Sequence, residues 1–93
     1  MREIRYTKQF KRDYKREKTG RHRKILDAAL METVYLLADD MGLPVKNADH
    51  PLCGEWADYR DCHIRPDLIL IYRKPDEKYL DLVRLGSHAE LGF

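Results

Sequence analysis

Apolar residues recur along the chain in two rhythms. Near the start Ile4 and Tyr6 alternate with charged neighbours, the two-residue period of a short strand over residues 2–6. Thr7 is an acceptable helix N-cap. In residues 8–18, Phe10 and Tyr14 stand four apart and form one apolar stripe on an otherwise basic helix, which Gly20 stops. Leu26, Leu30, Val34, Leu37 and Met41 then recur near the helical period. They predict the main amphipathic helix over about 21–39, ended by Gly42 and Pro44. Residues 45–57 read as loop.

The rest returns to strand rhythm. Runs at about 58–64, 67–73 and 79–85 are separated by Arg65-Pro66 and Pro75-Asp76, and proline at these points marks turns because it cannot extend a central ladder. Both faces of the middle run are apolar from Leu68 to Tyr72, as a central strand requires. The expected fold is α+β: an N-terminal strand, a helical hairpin and a three-stranded antiparallel meander (β-α-α-β-β-β). The helices should pack on one face of a four-stranded sheet, in a single domain over residues 1–93.

That topology gathers chemistry. In an antiparallel meander the first strand ends where the second begins, so His63 and Asp67 should meet across a turn. The third strand returns to the same edge and delivers His88 there, with Arg84 just inside its end. Tyr59, Asp61 and His63 share one strand face. Histidines and a carboxylate at one edge could bind zinc, but the ligand spacing of zinc sites is missing. General acid–base catalysis suits them better, since imidazole titrates near neutrality.

Charge adds a second feature. The net charge of +2 over 93 residues hides a division: residues 1–24 hold eleven Lys and Arg against three Asp and Glu, whereas residues 25–93 hold seven against thirteen. Lys11, Lys15, Arg16 and Lys18 on the first helix therefore become candidate contacts to nucleic-acid phosphates, or else a solvated face. Cys53 and Cys62 lack a C-x-x-C spacing and read as reduced packing residues. No apolar run approaches membrane-spanning length, and the N-terminus has charges where a signal peptide is apolar, so a cytoplasmic protein without membrane contact is expected.

Three stretches carry a family resemblance: His50-Pro51-Leu52-Cys53-Gly54-Glu55-Trp56, then Tyr59-Arg60-Asp61-Cys62-His63-Ile64-Arg65-Pro66-Asp67-Leu68-Ile69-Leu70-Ile71-Tyr72, and finally Arg84-Leu85-Gly86-Ser87-His88. Together they resemble the YafQ branch of the RelE/ParE toxin superfamily. The resemblance implies the toxin of a bacterial type II toxin–antitoxin system, a ribosome-dependent, metal-independent endoribonuclease that cuts mRNA in the ribosomal A site and needs no cofactor. It implies His50, His63, Asp67 and His88 as catalytic residues, Arg84 as a phosphate ligand and a C-terminal phenylalanine, here Phe93, in substrate binding. A cognate antitoxin, the ribosome with its 16S rRNA and mRNA are the implied partners, with operator DNA bound only as the toxin–antitoxin complex.

The chain departs from the family pattern twice. Leu68 stands where the family often has an aromatic after the aspartate, and Gly92 stands four residues after the last histidine, with the phenylalanine one later. Two other readings remain in competition: a non-catalytic ParE-like toxin that inhibits DNA gyrase by binding, whose relatives lack the histidine set, and a ribonuclease that needs no ribosome.

Overall fold

The computed structural model describes residues 1–92. Strand β1 (Glu3–Tyr6) runs into α1 (Lys8–Glu17), whose first turn is capped by Thr7, its Oγ1 accepting from the Phe10 N–H at 3.1 Å. Helix α2 (Leu26–Ala38) starts five residues later than its period predicts. Arg21, His22, Arg23 and Lys24 offer no apolar side chain to the sheet, so nothing anchors a further turn before Leu26. It also stops ahead of Gly42 and Pro44. Asp40 takes a left-handed conformation (φ 56°), and the N–H groups of Asp40 and Met41 close on the carbonyls of Leu37 and Leu36, a Schellman ending without glycine.

The sheet has five strands where the hydrophobic pattern predicts four. Its order is β1-β5-β4-β3-β2, with β2 (His50–Pro51), β3 (Arg60–Arg65), β4 (Leu68–Arg73) and β5 (Tyr79–Gly86). The extra strand is two residues long and pairs His50 with Asp61 and Pro51 with Arg60. Only β1 is parallel to its neighbour, β5; the other pairings are antiparallel. A last helical turn, α3 (His88–Leu91), follows β5. Among the described residues no helix is long and apolar enough to cross a membrane.

One face of the sheet carries the core. Leu68, Leu70 and Tyr72 of β4, with Leu80, Leu82 and Leu85 of β5, pack against Phe10 of α1 and Leu26, Leu30, Val34 and Leu37 of α2. Cys62 is free and buried in this core. A bulge in the β4–β5 ladder pairs Ile71 with Arg84 but Tyr72 with Leu82. The additional residue lets Leu82 and Leu85 both reach the core although they are three apart. Ile69 and Ile71 are also buried, yet they point to the opposite face. Their cross-strand neighbours there are His63 and Gly86, and Asp61 and Arg84.

Beyond Leu82, β5 has no strand on its β1 side. Side chains of α1 take over the ladder: Thr7 Oγ1 donates to the Val83 carbonyl at 3.1 Å, Asp13 accepts from the Leu85 N–H at 3.0 Å, and Arg16 donates to the Leu85 carbonyl at 2.7 Å. A sheet edge that would otherwise bury unsatisfied backbone is closed this way.

Candidate catalytic site

The sheet edge where β3, β4 and β5 converge brings three sequence-predicted residues together. Asp67 sits in the β3–β4 turn. Ser87 caps α3 with a reciprocal capping box: its Oγ accepts from the Glu90 N–H at 3.1 Å while Glu90 accepts from the Ser87 N–H at 2.9 Å. His88 is then the first helical residue, whose N–H has no partner inside the helix. It donates to Asp67 Oδ1 at 3.1 Å, and the imidazole Nδ1 lies 2.9 Å from the same oxygen. The ring of His63 meets that of His88 edge to face, with centroids 5.4 Å apart and planes at 76°.

Asp67 Oδ1 only accepts, so His88 Nδ1 carries the hydrogen and Nε2 is the ring atom left for substrate. The bond from the His88 ring, then that from its N–H, holds the Asp67 carboxyl below its ordinary value, and Arg21 adds to the effect from 3.7 Å. The ring of His63 makes no hydrogen bond among the described residues. Its backbone is fixed instead: buried Asn47 donates from Nδ2 to the His63 carbonyl at 2.8 Å.

His50 approaches the group from the added strand. Its Nδ1 donates to the carbonyl of Ala48 at 2.7 Å and stands 3.2 Å from Asp61 Oδ1. The segment leading to it is anchored by Asp49, which accepts from the Tyr72 hydroxyl at 2.6 Å and from the Arg60 guanidinium at 3.4 Å. Burial and this bond push the Tyr72 hydroxyl up.

Asp61 is the residue that sequence reasoning left out of the site. It is only 5 % exposed, and its Oδ1 lacks a well-aligned hydrogen bond. Burial raises its carboxyl, and His50, then His63, and more weakly His88 draw it back, against the opposing push of Asp49. Of the three imidazoles, that of His50 stands directly against this buried carboxylate. Strand alternation already placed Asp61 on the face of His63; what was missing was the strand that brings His50 opposite it.

The predicted cations divide. Arg84 is held by buried Asp13, through Nε at 2.7 Å and Nη2 at 3.4 Å. Arg16 spans the Leu85 carbonyl, Asp13, Glu17 and Glu90, and Lys18 pairs with Asp27 at 2.8 Å. All three are held in ion pairs within the chain. Lys11 and Lys15 are exposed and make no ion pair among the described residues. Leu68 lies on the core face, away from the histidines. Phe93 lies outside the described residues.

A family model described as "Bacterial toxin of type II toxin-antitoxin system, YafQ" matches residues 2–92 of the chain. The mRNA interferase toxin YafQ of Escherichia coli K12 is 40% identical over 90 residues, which cover 97% of this chain and 95% of that protein. The E. coli DinJ-YafQ toxin–antitoxin complex contains a chain that superposes with a TM-score of 0.82 at 40% identity, over 97% of this chain and 96% of that one. A copper-bound mutant toxin from Helicobacter pylori superposes with a TM-score of 0.84 at 33% identity, over 98% and 99%. Among the described residues here, no three His, Cys, Asp or Glu side chains are arranged to hold a metal ion.

Proposed function

The chain belongs to the YafQ family of bacterial toxins of type II toxin–antitoxin systems, and from this we propose that it is an mRNA interferase that cuts mRNA on the ribosome by histidine acid–base catalysis. The observation that carries the mechanism is the edge-to-face pair of His63 and His88, with Asp67 holding the Nδ1 of His88.

A 2′-OH attacks the adjacent phosphorus in line while its proton passes to an imidazole, and the 5′-oxygen leaves with a proton from a second imidazole. His88 is the acid: Asp67 accepts from its Nδ1, which leaves Nε2 as the ring atom presented to the leaving oxygen. His63, with no hydrogen bond to its ring, is the base. His50, oriented by Ala48 and by Asp61 at 3.2 Å, binds the phosphate oxygens. The products are a 2′,3′-cyclic phosphate and a 5′-hydroxyl.

Lys11 and Lys15, on the exposed face of α1, contact ribosomal RNA, and Arg84 acts on the site through the placement of β5 rather than by direct phosphate binding. A cognate antitoxin restrains the toxin in the cytoplasm, as DinJ partners YafQ in the E. coli complex. The test is incubation of the purified protein with a defined transcript, alone and on programmed ribosomes, with the new ends mapped and their chemistry determined. Cleavage only on ribosomes, leaving cyclic phosphate ends, supports the reading. An intact transcript in both arms, or 3′-hydroxyl ends, overturns it.

A further inference from the structure

Two clefts flank the histidines, and they differ in charge. The larger, of about 430 Å³, lies between the end of α1 and α3; Glu17, Glu90 and Asp67 line it together with Arg16 and Arg21. Arg16 is already committed to Leu85, Asp13, Glu17 and Glu90, and Arg21 faces Asp67 at 3.7 Å. The smaller, of about 280 Å³, opens beside His63 and is lined by Lys46, Asn47, Ile64, Arg65 and Pro66. No carboxylate lines it.

The cations of this second cleft are available. Lys46 makes no side-chain hydrogen bond or ion pair among the described residues, and Arg65 donates from Nη1 only to the carbonyl of Ile64, at 2.9 Å. The two sit on different segments, the 3₁₀ turn Val45–Asn47 and the end of β3. Asn47 ties those segments together through its bond to the His63 carbonyl. The segments that carry the two cations are therefore joined at the backbone of His63.

We propose that the cleft between Lys46 and Arg65 is a phosphate subsite, which grips the RNA backbone next to the phosphate that is cut and leads the strand away on the Arg65 side. This deepens the endoribonuclease reading and rests on it. A guanidinium fork and an ammonium lining one cleft that no carboxylate shares suit a phosphodiester, although Glu32 lines the adjoining cavity together with both cations. The opposite cleft, with three carboxylates on its walls, repels one. Because His63 itself lines the subsite, a phosphate held there is the immediate neighbour of the reacting one.

The test uses a trinucleotide of RNA methylated at every 2′-oxygen, which lacks the nucleophile and cannot be cut. It is titrated into the intact protein by calorimetry and by ¹H–¹⁵N spectroscopy. Binding should shift the resonances of Asn47, His63 and Arg65 but spare Glu17 and Glu90. The variant carrying Lys46→Glu and Arg65→Glu should bind at least tenfold more weakly, with a salt slope shallower by about 0.7, as one fewer neutralised phosphate requires. Lys46→Arg with Arg65→Lys should stay within threefold of the parent. Equal affinity in parent and charge-reversed variant, shifts confined to the acidic cleft, or no uptake by the parent at low salt overturns the subsite. Failure of the parent to cleave mRNA on ribosomes is a separate result and overturns the endoribonuclease reading.

Discussion

Oδ1 of Asp67 accepts twice from His88, from its N–H at 3.1 Å and from Nδ1 at 2.9 Å, so one oxygen fixes both the backbone and the ring of the proposed acid. Asp67→Asn keeps an acceptor and loses the charge, whereas Asp67→Ala loses both. The expected falls in kcat are about 10–100-fold for Asn and about 10²–10⁴-fold for Ala, the usual worth of a positioned acid, with KM within threefold of the parent. Parent-like kcat in both variants would remove Asp67 from the mechanism.

The same pair of hydrogen bonds predicts a pH response. The Asp67 carboxyl is held below its ordinary 3.8, so the folded state binds its proton less readily than the unfolded chain. The stabilisation is fully present above the ordinary value and is lost as pH falls through the depressed one. The amide resonance of His88 should therefore titrate with a midpoint below 3.8. A midpoint above that value contradicts the pairing.

Asp61 predicts the opposite sign. Its carboxyl is raised by burial, so ionisation costs the folded state stability as pH rises past the ordinary carboxylate range. Asp61→Asn should then leave the thermal midpoint at pH 7 unchanged or raise it. Cleavage should nonetheless fall at least tenfold, because the carboxylate 3.2 Å from His50 Nδ1 is gone. A loss of several degrees in Tm, or full activity, contradicts this account of Asp61.

Asp13 is a structural counterpart. It is 3 % exposed and accepts from Arg84, Arg16 and the Leu85 N–H. Asp13→Ala leaves a buried amide and a guanidinium unpaired, a change costing about 3–5 kcal/mol. In a chain of 93 residues thermal denaturation should show a midpoint lower by roughly 12 °C or more. A smaller effect than that of Thr7→Ala, about 1 kcal/mol for a missing cap, contradicts the role assigned to α1 along the β5 edge.

Ser87 offers a test that separates site from fold. Helix α3 is four residues long and has none of the buried core, yet it carries His88. Ser87→Ala removes the cap and should lower kcat about tenfold, while the cap's worth of about 1 kcal/mol keeps the change in Tm small. Ser87→Asp, which restores a capping oxygen, should recover most of the rate. Loss of rate without recovery by Asp argues against positioning through the cap.

Periodicity made most of the fold legible. Leu26, Leu30, Val34 and Leu37 lie on one helical face and all enter the core, and the prolines at 66 and 75 bracket the central strand as turn chemistry requires. Adjacency in a meander was enough to bring His63, Asp67 and His88 together. What stayed hidden depends on partners distant in sequence. Strand β2 is two residues long and half proline, too short for any period. Asp13 looks like one member of a solvated charge pattern until β5 arrives 71 residues later and places Arg84 on it. Without β2 and that pairing, neither Asp61's contact with His50 nor Arg84's ion pair with Asp13 is visible.

The central claim is that His63 and His88 exchange the protons of RNA cleavage. Single-turnover cleavage of mRNA on programmed ribosomes, measured for the parent, His63→Ala and His88→Ala at saturating toxin, addresses it directly. Each variant should be slower by about 10²-fold or more while folding and ribosome binding match the parent. Rates within threefold of the parent in either variant contradict it.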